Sequence, residues 1–465
     1  MKENLYVYYT NDLHSNFDNW SKVASFLKDQ RAKLKEENIS NWLVDIGDHI
    51  DRVHPIAEAF MGKANVQLMN ELNYDLVTIG NNEGITLPHH ELFHLYDEAQ
   101  FQIICSNLES MTNEIPKWLL SSKIMHSVHG VKIGVIGLTA PFNPFYHLLN
   151  WHVKNPVDTV SEELKRLNGK ADVIIVLSHL GINEDRELAR QFSEIDVIIG
   201  GHTHHLLRTA EEINGTIITS AGKHCSFVGE VILTWDHSKG QLTSKEAYTT
   251  NITHFAKDLP TEQSLNRLYE KAEKVLQKPI IQRKKPIEVN WFKSTKIMEY
   301  LTEELREFTK ADISMLNAGI LLDVFPAGTI TYGDVHRICP HPINPCVVEL
   351  SGNEIIEVVR ASLTKEFMEL KLKGFGFRGE VLGKMIFSGL EVKTAYHDNG
   401  REYVKEVLYL GNPLRLDRMY LLATADTFTF GRLLPEIAKS ETKKFFLPEF
   451  IRDLLVKTLK EYFSS

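Results

Sequence analysis

The chain has 465 residues, a formal net charge of −9 at neutral pH and an apolar content of 43%. Because this length exceeds one ordinary hydrophobic core, it favours two domains, and the apolar content is sufficient for both to fold. The negative charge, without any block rich in lysine or arginine, excludes a nucleic-acid backbone as the main partner. The sequence has no run of about 18 uncharged apolar residues, so it predicts no transmembrane helix.

The start of the chain and its cysteines bear on the cellular compartment. No charged-then-apolar leader and no small-residue cleavage site precede the first predicted strand, 5–9, so we expect a cytoplasmic protein without membrane attachment. The cysteines are widely spaced and form no CxxC pair, which excludes a zinc–thiolate site and a disulfide framework. We expect reduced, packed thiols at Cys105, Cys225, Cys339 and Cys346.

From residue 4 to about 235, short β-branched runs alternate with segments of helical periodicity. The runs are typical of strands that are buried on both faces of a sheet. The next predicted strands are 42–46, 76–79, 131–136, 172–177 and 196–199, and the predicted helices are 20–35, 64–72, 157–167 and 184–192. This alternation predicts a layered α/β domain over residues 1–257, with ligands on the loops at the strand ends. Later strands, at 217–219 and 229–233, either continue this sheet or extend a second, antiparallel or mixed one.

The residue pattern changes over residues 258–285, where a charged amphipathic segment, 265–276, precedes Pro279 and a basic stretch. We interpret the segment as a linker helix, although a surface helix of either domain has the same kind of charged face. Residues 286–465 then predict an α+β domain with strands near 347–350, 390–392 and 420–423.

Polar fragments stand at the ends of five apolar runs, where strand ends converge in a layered α/β domain. They are Asn11-Asp12-Leu13-His14, Asp45-Ile46-Gly47-Asp48, Gly80-Asn81-Asn82-Glu83, Ser178-His179 and Gly200-Gly201-His202-Thr203-His204. The candidate metal ligands in these fragments are Asp12, His14, Asp48, Asn81, His179, His202 and His204. A single strand-end aspartate is usually a cap or turn residue, and a lone histidine is usually structural. All five fragments in this order are typical of a two-metal phosphohydrolase.

The spacing within the fragments suggests how the ligands are shared. Two divalent cations about 3.5 to 4 Å apart repel each other and need an anionic bridge. Asp48 is the expected bridge, because it follows a buried strand and a glycine that lets the backbone turn. Asp12 and His14 are two residues apart, so on an extended chain they point to the same side and reach one metal. His202 and His204 repeat this spacing.

These fragments resemble the calcineurin-type metallophosphoesterases and, more narrowly, the bacterial 5'-nucleotidase, UDP-sugar hydrolase and 2',3'-cyclic-nucleotide phosphodiesterase family. The likeness continues in the second half of the chain at 317–319, 326–328, 331–335 and 423–426. The resemblance implies a helix between the domains and a C-terminal substrate domain that binds the nucleobase between two aromatic rings. By position it points to Phe387 and to Phe428, which are otherwise ordinary core residues, and to Asn317 and Gly319 as further substrate-binding residues.

The resemblance also implies the metal assignments. It groups Asp12, His14, Asp48 and His204 around one ion, and Asp48, Asn81, His179 and His202 around the other. Mixed nitrogen and oxygen ligands suit Mn, Zn, Fe or Co, so the identity of the two divalent ions stays open.

The chain departs from the family pattern beside the metal ligands. The family has a histidine directly after its motif asparagine and an aspartate three residues after that histidine, whereas this chain has Asn82 and Ile85. Asn82 donates a hydrogen bond to a phosphoryl oxygen in this scheme but delivers no proton. The nearby His49 is our candidate replacement for the missing acid.

A second departure concerns the anionic end of the substrate. The family's Gly-Gly-x-Arg becomes Gly319-Ile320-Leu321-Leu322, and its Gly-Gly-Asp-Gly-Tyr signature becomes Gly431-Arg432-Leu433-Leu434. Arg378 is the candidate that we assign to substrate binding, with Arg337 and Arg432 as alternatives.

These observations predict a metal-dependent phosphohydrolase of nucleotide-type substrates, in which a metal-bridging hydroxide attacks phosphorus in line. One hypothesis is a 5'-nucleotidase-like monoesterase. Another is a pyrophosphatase or phosphodiesterase for nucleotide sugars or dinucleotides, because a phosphate leaving group with a pKa of about 6 needs less acid help than an alkoxide. A third is a metal- or nucleotide-binding protein with negligible turnover, against which the intact ligand set counts. The oligomeric state is not indicated.

Overall fold

The predicted alternation of strands and helices is preserved in the fold, which a computed structural model describes for residues 1–372, 374, 376–398, 402–431 and 433–464. The chain divides into two compact units, Met1–Ala272 and Glu273–Ser465, which we call the N-terminal and C-terminal units. The division falls inside the segment that the sequence assigns to a linker. The domain boundaries at 257 and 285 stay predictions.

The N-terminal unit is built mainly from short strands joined by helices. Its strands are β1 Lys2–Thr10, β2 Asn41–Asp45, β3 Leu76–Val77, β4 Gln102–Ile104, β5 Leu108–Ser110, β6 Leu119–Leu120, β7 Ser122–His126, β8 Lys132–Thr139, β9 Trp151–Val153, β10 Val173–His179, β11 Val197–Gly200, β12 Glu211–Ile213, β13 Thr216–Thr219, β14 Phe227–Asp236 and β15 Gln241–Asn251. Its helices are α1 Trp20–Glu36, α2 Pro55–Phe60, α3 Lys63–Glu71, α4 Asn81–Thr86, α5 His89–Phe93, α6 Asn143–Tyr146, α7 Pro156–Leu167 and α8 Ile182–Gln191, and α9 Leu259–Leu276 reaches the division between the units.

These strands form a first sheet in the order β15-β14-β1-β2-β3-β4-β6 and a second sheet in the order β12-β13-β11-β10-β8-β7. The strands from β1 to β6 in the first sheet are parallel, as are β13, β11, β10 and β8 in the second. The strand at 217–219 thus joins a mixed sheet, and the strand at 229–233 adds antiparallel to β1.

Period-two alternation divides the second sheet between two hydrophobic layers. Val135 and Ile175 lie in a core with residues of the first sheet, whereas Ile136 and Val176 lie in a second core with residues of α7 and α8. Adjacent residues of one strand face opposite sides of the sheet, so both faces are apolar and both are covered. The result is the layered α/β arrangement that the sequence predicts.

The C-terminal unit is an α+β fold, as predicted. Its strands are β16 Pro279–Arg283, β17 Ile313–Asn317, β18 Gly328–Thr331, β19 Pro345–Ser351, β20 Met385–Ser388, β21 Leu390–Tyr396, β22 Glu402–Tyr409, β23 Asn412–Pro413, β24 Met419–Ala425 and β25 Lys443–Phe445. Its helices are α10 Lys296–Thr309, α11 Tyr332–Ile338, α12 Gly352–Ser362, α13 Lys365–Met368, α14 Pro435–Lys439 and α15 Ile451–Tyr462. The main sheet has the order β20-β17-β24-β19-β25, in which β17 and β24 are parallel and the other pairs are antiparallel.

The structure also bears on the predictions for the cysteines and for transmembrane helices. The four cysteines all lie among the described residues, where they are buried free thiols, as predicted. Within the described part of the chain, the helices are too short or too polar to cross a membrane.

Candidate metal centre

The carboxyl ends of parallel strands bring the candidate ligands together at one edge of the N-terminal unit. Asp12 and Asp48 lie among His14, from the same loop as Asp12, and the histidines of two later loops, His179 and His204. The Nε2 atom of His179 is 3.4 Å from Oδ1 of Asp48 and 4.0 Å from Oδ1 of Asp12. Nε2 of His14 is 3.8 Å from Oδ1 of Asp12, 3.7 Å from Oδ2 of Asp48 and 3.1 Å from Nε2 of His204. Both carboxylates therefore occupy a central position, and the bridging role of Asp48 stays a prediction.

Whether this group of residues fits a metal ion can be judged from buried polar atoms that have no hydrogen-bond partner among the described residues. Nε2 of His179 and Oδ1 of Asn81 are buried and accept no hydrogen bond from the residues that the structure describes. The other ring nitrogen of His179 lies 2.8 Å from the carbonyl oxygen of Ile46, so an Nδ1–H donates there and Nε2 faces the carboxylates, where it binds either a proton or a cation. The ring centroid of His202 lies 5.3 Å from that of His179. A buried lone pair left without a donor is costly, and a cation satisfies it.

Charge in the group is balanced between carboxylates and imidazoles. Burial opposes the ionisation of Asp48, but His179 and His14 outweigh it and lower the pKa of Asp48 below its ordinary value. Burial also disfavours the charged form of His179, but Asp48 and Asp12 raise the pKa of His179 to about 10. The carboxylates therefore require positive charge beside them, which divalent cations supply as well as protons do. Two overlapping sets have donor atoms within 4.8 Å of one another, Asp12 with His14 and His204, and Asp12 with Asp48 and His179.

The backbone of the ligand loops corrects one of our expectations. The ligands Asp12, His14, Asp48, His202 and His204 have φ angles of 50°, 50°, 50°, 69° and 56°. These angles lie in the left-handed region, so the paired residues do not share a side of an extended chain, as the sequence spacing suggested. The side chains converge because each loop turns sharply, at a cost of about 1–2 kcal/mol per residue. Such strain is typical of functional sites that the surrounding structure holds in place.

Glu83, to which the sequence assigned no role, holds two ligand loops together. Its carboxylate accepts the backbone N–H groups of Asp48 at 3.0 Å, Ile50 at 2.9 Å and Gly80 at 3.0 Å. Gly80 is required here, because a Cβ at this position would lie 2.1 Å from Oδ1 of Asp48. The sequence signal was a glutamate three residues after Gly80, the N-cap residue of α4, which supplies the glutamate half of a capping box.

Asn11 and His224 also belong to the site. The Asn11 side chain donates to Oδ2 of Asp12 at 2.7 Å and to the carbonyl oxygen of Gly222 at 2.6 Å. The backbone N–H of His224 donates to the carbonyl oxygen of Asp12 at 2.9 Å, and its ring centroid lies 6.1 Å from that of His14. His224 was not among the site residues that the sequence predicted. Its only sequence signal is a position shortly after the strand β13.

Asn82 lies within the site. Its backbone N–H donates to Oδ1 of Asp48 at 2.7 Å, and its Nδ2 is 2.9 Å from Nδ1 of His14. The amide is therefore adjacent to two candidate ligands. This position is compatible with the predicted role of Asn82, which stays a prediction.

His49 occupies a different environment from the one that an acid catalyst needs. The imidazole is 3% exposed, packs edge-on against Trp20 and lies 3.1 Å from Nδ2 of Asn65. Burial lowers its pKa to about 3, so the ring is neutral at physiological pH. It forms no hydrogen bond with a candidate ligand in the described part of the chain. The catalytic role of His49 stays a prediction that its surroundings do not favour.

Two predicted substrate residues of the C-terminal unit support a neighbouring loop. Nδ2 of Asn317 donates to the carbonyl oxygen of Leu382 at 2.9 Å, and the N–H of Gly319 donates to the same oxygen at 2.8 Å. A Cβ at Gly319 would lie 1.9 Å from the carbonyl oxygen of Val381, so the close approach requires glycine. These contacts give both residues a structural function, and their role toward substrate stays a prediction.

The predicted aromatic rings have unequal exposure. Phe387 is half-buried on β20, whereas Phe428 is 0% exposed and stacks on Phe367 with 6.4 Å between ring centroids. Phe428 therefore presents no free ring face to a ligand in this structure.

The candidate arginines are on the surface where they are described. Arg378 is exposed, and its backbone N–H donates to Nδ1 of His341 at 2.9 Å. Arg337 forms an ion pair with Asp323 at 2.8 Å. Arg432 lies outside the described residues. The compensating role of each arginine stays a prediction.

Comparison with known proteins agrees with this geometry. The model of the calcineurin-like phosphoesterase family matches residues 5–206, and that of the 5'-nucleotidase C-terminal domain matches residues 274–432. YunD of Bacillus subtilis (strain 168), an uncharacterized metallophosphoesterase, is 40% identical over 462 residues, which cover 99% of this chain and 100% of YunD. The 5'-nucleotidase of Vibrio parahaemolyticus serotype O3:K6 (strain RIMD 2210633) is 25% identical over 427 residues, or 78% of this chain and 75% of that protein.

A solved structure shows the same fold. The NAD nucleotidase NadN of Haemophilus influenzae aligns with a TM-score of 0.69 at 16% identity, over 99% of this chain and 97% of that one. The two matched domains and the full-length relative lead to one assignment. The chain belongs to the calcineurin-like metallophosphoesterases that carry a 5'-nucleotidase C-terminal domain, a family of metal-dependent phosphoester hydrolases.

Proposed function

We propose that the protein is a two-metal phosphohydrolase of nucleotide-type substrates. The observation that carries this proposal is a buried pair of ligand atoms, Nε2 of His179 beside the carboxylates and Oδ1 of Asn81, neither of which has a hydrogen-bond partner among the described residues. They belong to a group that contains two carboxylates and further imidazoles. Without bound cations, a proton on His179 has to balance the carboxylates and the Asn81 oxygen has no donor among the described residues, so the arrangement supports a metal-binding purpose.

The residues that would hold the ions are those of the seven-residue group. Asp12, His14, Asp48 and His204 would hold one ion, and Asp48, Asn81, His179 and His202 the other. Bound divalent cations supply positive charge to phosphoryl oxygens and lower the pKa of a coordinated water. Glu83 would keep the loops of Asp48 and Gly80 at a fixed separation through its hydrogen bonds to both backbones.

The nucleotide class of the substrate is supported by the names of relatives and by the C-terminal unit. The Vibrio parahaemolyticus relative is a 5'-nucleotidase, and the structural neighbour from Haemophilus influenzae is an NAD nucleotidase. The C-terminal unit of this chain matches the 5'-nucleotidase C-terminal domain. Within this unit we propose the half-buried Phe387 as a contact of the nucleobase.

Asn82 favours a second candidate, a pyrophosphatase that cleaves the phosphoanhydride bond of nucleotide sugars or dinucleotides. Its amide is next to His14 and donates hydrogen bonds but no proton. His49, the predicted substitute acid, is buried and neutral. Without a general acid, a phosphate leaves more readily than an alkoxide. Asn82 therefore favours the hypothesis of a pyrophosphatase over that of a 5'-nucleotidase-like monoesterase.

A phosphate-release screen tests the proposal. The protein is freed of metal, loaded in turn with Mn, Zn, Fe or Co, and offered nucleoside monophosphates, nucleotide sugars and dinucleotides. Phosphate release for anhydride products requires an added phosphatase, and product nucleotides are resolved by chromatography. We expect turnover with at least one metal, and fastest on anhydrides. Metal binding without turnover on any substrate would contradict the proposal and favour the binding-protein hypothesis.

The cytoplasmic location is a separate proposal that rests on the sequence alone. Fractionation of the producing cells, with the chain detected by an antibody, tests it. Recovery in the medium or with the membranes would contradict it.

A further inference from the structure

The loop that follows β13 carries an imidazole beside the metal centre. Asn11 holds this loop from one side, because its Oδ1 accepts the N–H of Ala221 at 3.1 Å and its Nδ2 donates to Gly222 at 2.6 Å. The next contact is the N–H of His224, which donates to the carbonyl oxygen of Asp12 at 2.9 Å. The loop is thus fixed to the segment that bears the first two candidate ligands.

The backbone of the loop turns His224 and its neighbour in different directions. His224 and Cys225 have φ angles of 58° and 46°, in the left-handed region that non-glycine residues rarely adopt. The Cys225 thiol is 1% exposed, whereas the His224 ring is only partly buried. Two consecutive non-glycine residues thus occupy a strained conformation that glycine would adopt without strain. Burial of the Cys225 side chain in the interior accounts for the strained backbone at that residue. The imidazole of His224 is partly exposed and has no such packing role.

The ring of His224 lies against a candidate ligand but has no hydrogen bond to any of the described residues. Its centroid is 6.1 Å from that of His14, and the ring planes meet at 87°. Within the part of the chain that the structure describes, neither ring nitrogen of His224 has a hydrogen-bond partner. By contrast, Nδ1 of His14 has Asn82 at 2.9 Å, and Nδ1 of His179 has a carbonyl oxygen at 2.8 Å.

We propose that His224 is a substrate-contacting residue of the metal centre, whose imidazole N–H donates a hydrogen bond to an oxygen of the bound phosphoester. This inference rests on the proposed function. A phosphoryl group offers several charged acceptor oxygens, and an imidazole carries an N–H in both its neutral and its charged form. The adjacent Lys223 is exposed and adds a positive charge to the same loop. His224 and Asn82 would then be two donors that flank His14.

Three substitutions test the contact in the full-length protein. His224→Phe keeps an aromatic ring but removes the donor. His224→Asn keeps a donor and tolerates the positive φ. The matched control is His126→Phe, because His126 is exposed and pairs with Lys132 at the opposite, amino-terminal end of β8. Each variant is compared with the parent for metal content, for kcat and KM on the best substrate of the screen, and for the affinity of inorganic phosphate measured by calorimetry.

We expect His224→Phe to lower kcat/KM by about 10- to 100-fold and to weaken phosphate binding by a similar factor, since a hydrogen bond to a charged acceptor is lost. His224→Asn should lose less than about 10-fold, and His126→Phe should equal the parent. Metal content should be unchanged in all three. Parental kcat/KM and phosphate affinity in His224→Phe would overturn the proposal, as would loss of metal from that variant.

The calorimetric affinity of inorganic phosphate distinguishes a failure of this inference from a failure of the proposed function. If the parent cleaves no substrate with any metal, the proposed function fails. In that case, tighter phosphate binding by the metal-loaded parent than by His224→Phe still supports the contact, and equal binding overturns it.

Discussion

The two units differ in how their predicted functional residues are used. In the N-terminal unit, Asp12, Asp48 and His179 approach one another at the edge of the sheets, and the buried Oδ1 of Asn81 has no donor among the described residues. In the C-terminal unit, Asn317 supports a loop through hydrogen bonds and Phe428 is enclosed in the core. Metal ligands have to converge whatever the substrate is. Residues that contact one particular substrate have no such requirement, so a resemblance transfers them less securely.

Buried carboxylates show the same difference. Burial opposes the ionisation of Asp48, but His179 and His14 lower its pKa below the ordinary value. In the C-terminal unit, burial raises the pKa of Asp426 to about 7. One carboxylate is surrounded by imidazoles and stays charged, and the other is enclosed and takes up a proton readily.

The largest expected effect is that of Asp48→Asn, which removes charge from the centre of the metal group. We expect loss of at least one metal per chain and a fall in turnover of about 10³-fold or more, because several kcal/mol of charge stabilisation are lost. Elemental analysis and product release measure both. The control is Asp29→Asn, an exposed surface carboxylate paired with Lys33. Full metal content with near-normal activity in Asp48→Asn would contradict the assignment.

The next prediction separates the two candidate rings of the C-terminal unit. Phe428→Ala should lower the free energy of unfolding by about 3–5 kcal/mol, because it leaves a cavity in a core. Phe387→Ala should unfold much as the parent does but raise KM for nucleotides about 10-fold, without affecting a simple aryl phosphate. Denaturant unfolding and steady-state kinetics distinguish these outcomes. Unchanged KM for nucleotides in Phe387→Ala would place the base-binding site elsewhere.

A smaller effect is expected at Asn82, which lies beside Asp48 but delivers no proton. Rates on a series of phosphate esters should fall as the pKa of the leaving group rises, once chemistry is shown to be rate-limiting. Asn82→His should raise the rate on esters with poor leaving groups by about 10-fold and so weaken this dependence. General acids contribute factors of about 10² to 10⁴ to the rate. Asn82→Gln is the control, because it retains an amide. A flat series in the parent would mean that another residue supplies the proton.

The last prediction concerns the stability of the fold and not the reaction, and it is made at Asp426. Its folded pKa of about 7 lies above the ordinary 3.8, so its contribution to stability is complete below pH 4 and is lost as the pH rises to about 7. Asp426→Asn should therefore be about 4 kcal/mol more stable than the parent at pH 8, and should approach the parent at pH 4. Denaturant unfolding of both proteins at the two pH values measures this. Parallel pH profiles would contradict the buried, protonated state.

The strands and helices were predictable because their signals are local. Val135 and Ile136 are adjacent apolar residues, and a strand covered on both faces accounts for both. Strand ends then located the metal fragments, since parallel strands present their carboxyl ends at one edge.

The conformation of the ligand loops was not predictable from spacing. Asp12 and His14 reach the same group through left-handed turns, not through an extended segment. A two-residue spacing does not distinguish these cases, because both bring the side chains together.

Contacts between distant parts of the chain were also missed. His224 is positioned by Asp12, more than 200 residues earlier, and no local pattern links them. The core position of Phe428 likewise depends on packing against Phe367 from another helix. Such pairings follow from topology, which the sequence patterns did not specify in this detail.

The left-handed residues at the metal edge have a consequence for natural and laboratory evolution. Asp12, Asp48 and the histidines beside them occupy a conformation that glycine, asparagine and aspartate adopt most readily. A saturation library at these positions, sorted only for folded protein, should therefore be enriched in those three residues and depleted in valine and isoleucine. The set of acceptable replacements is narrowed by backbone geometry before catalysis imposes any selection. Substitutions that accumulate at these positions during evolution should accordingly be mainly to asparagine and glycine, even in descendants that no longer bind metal.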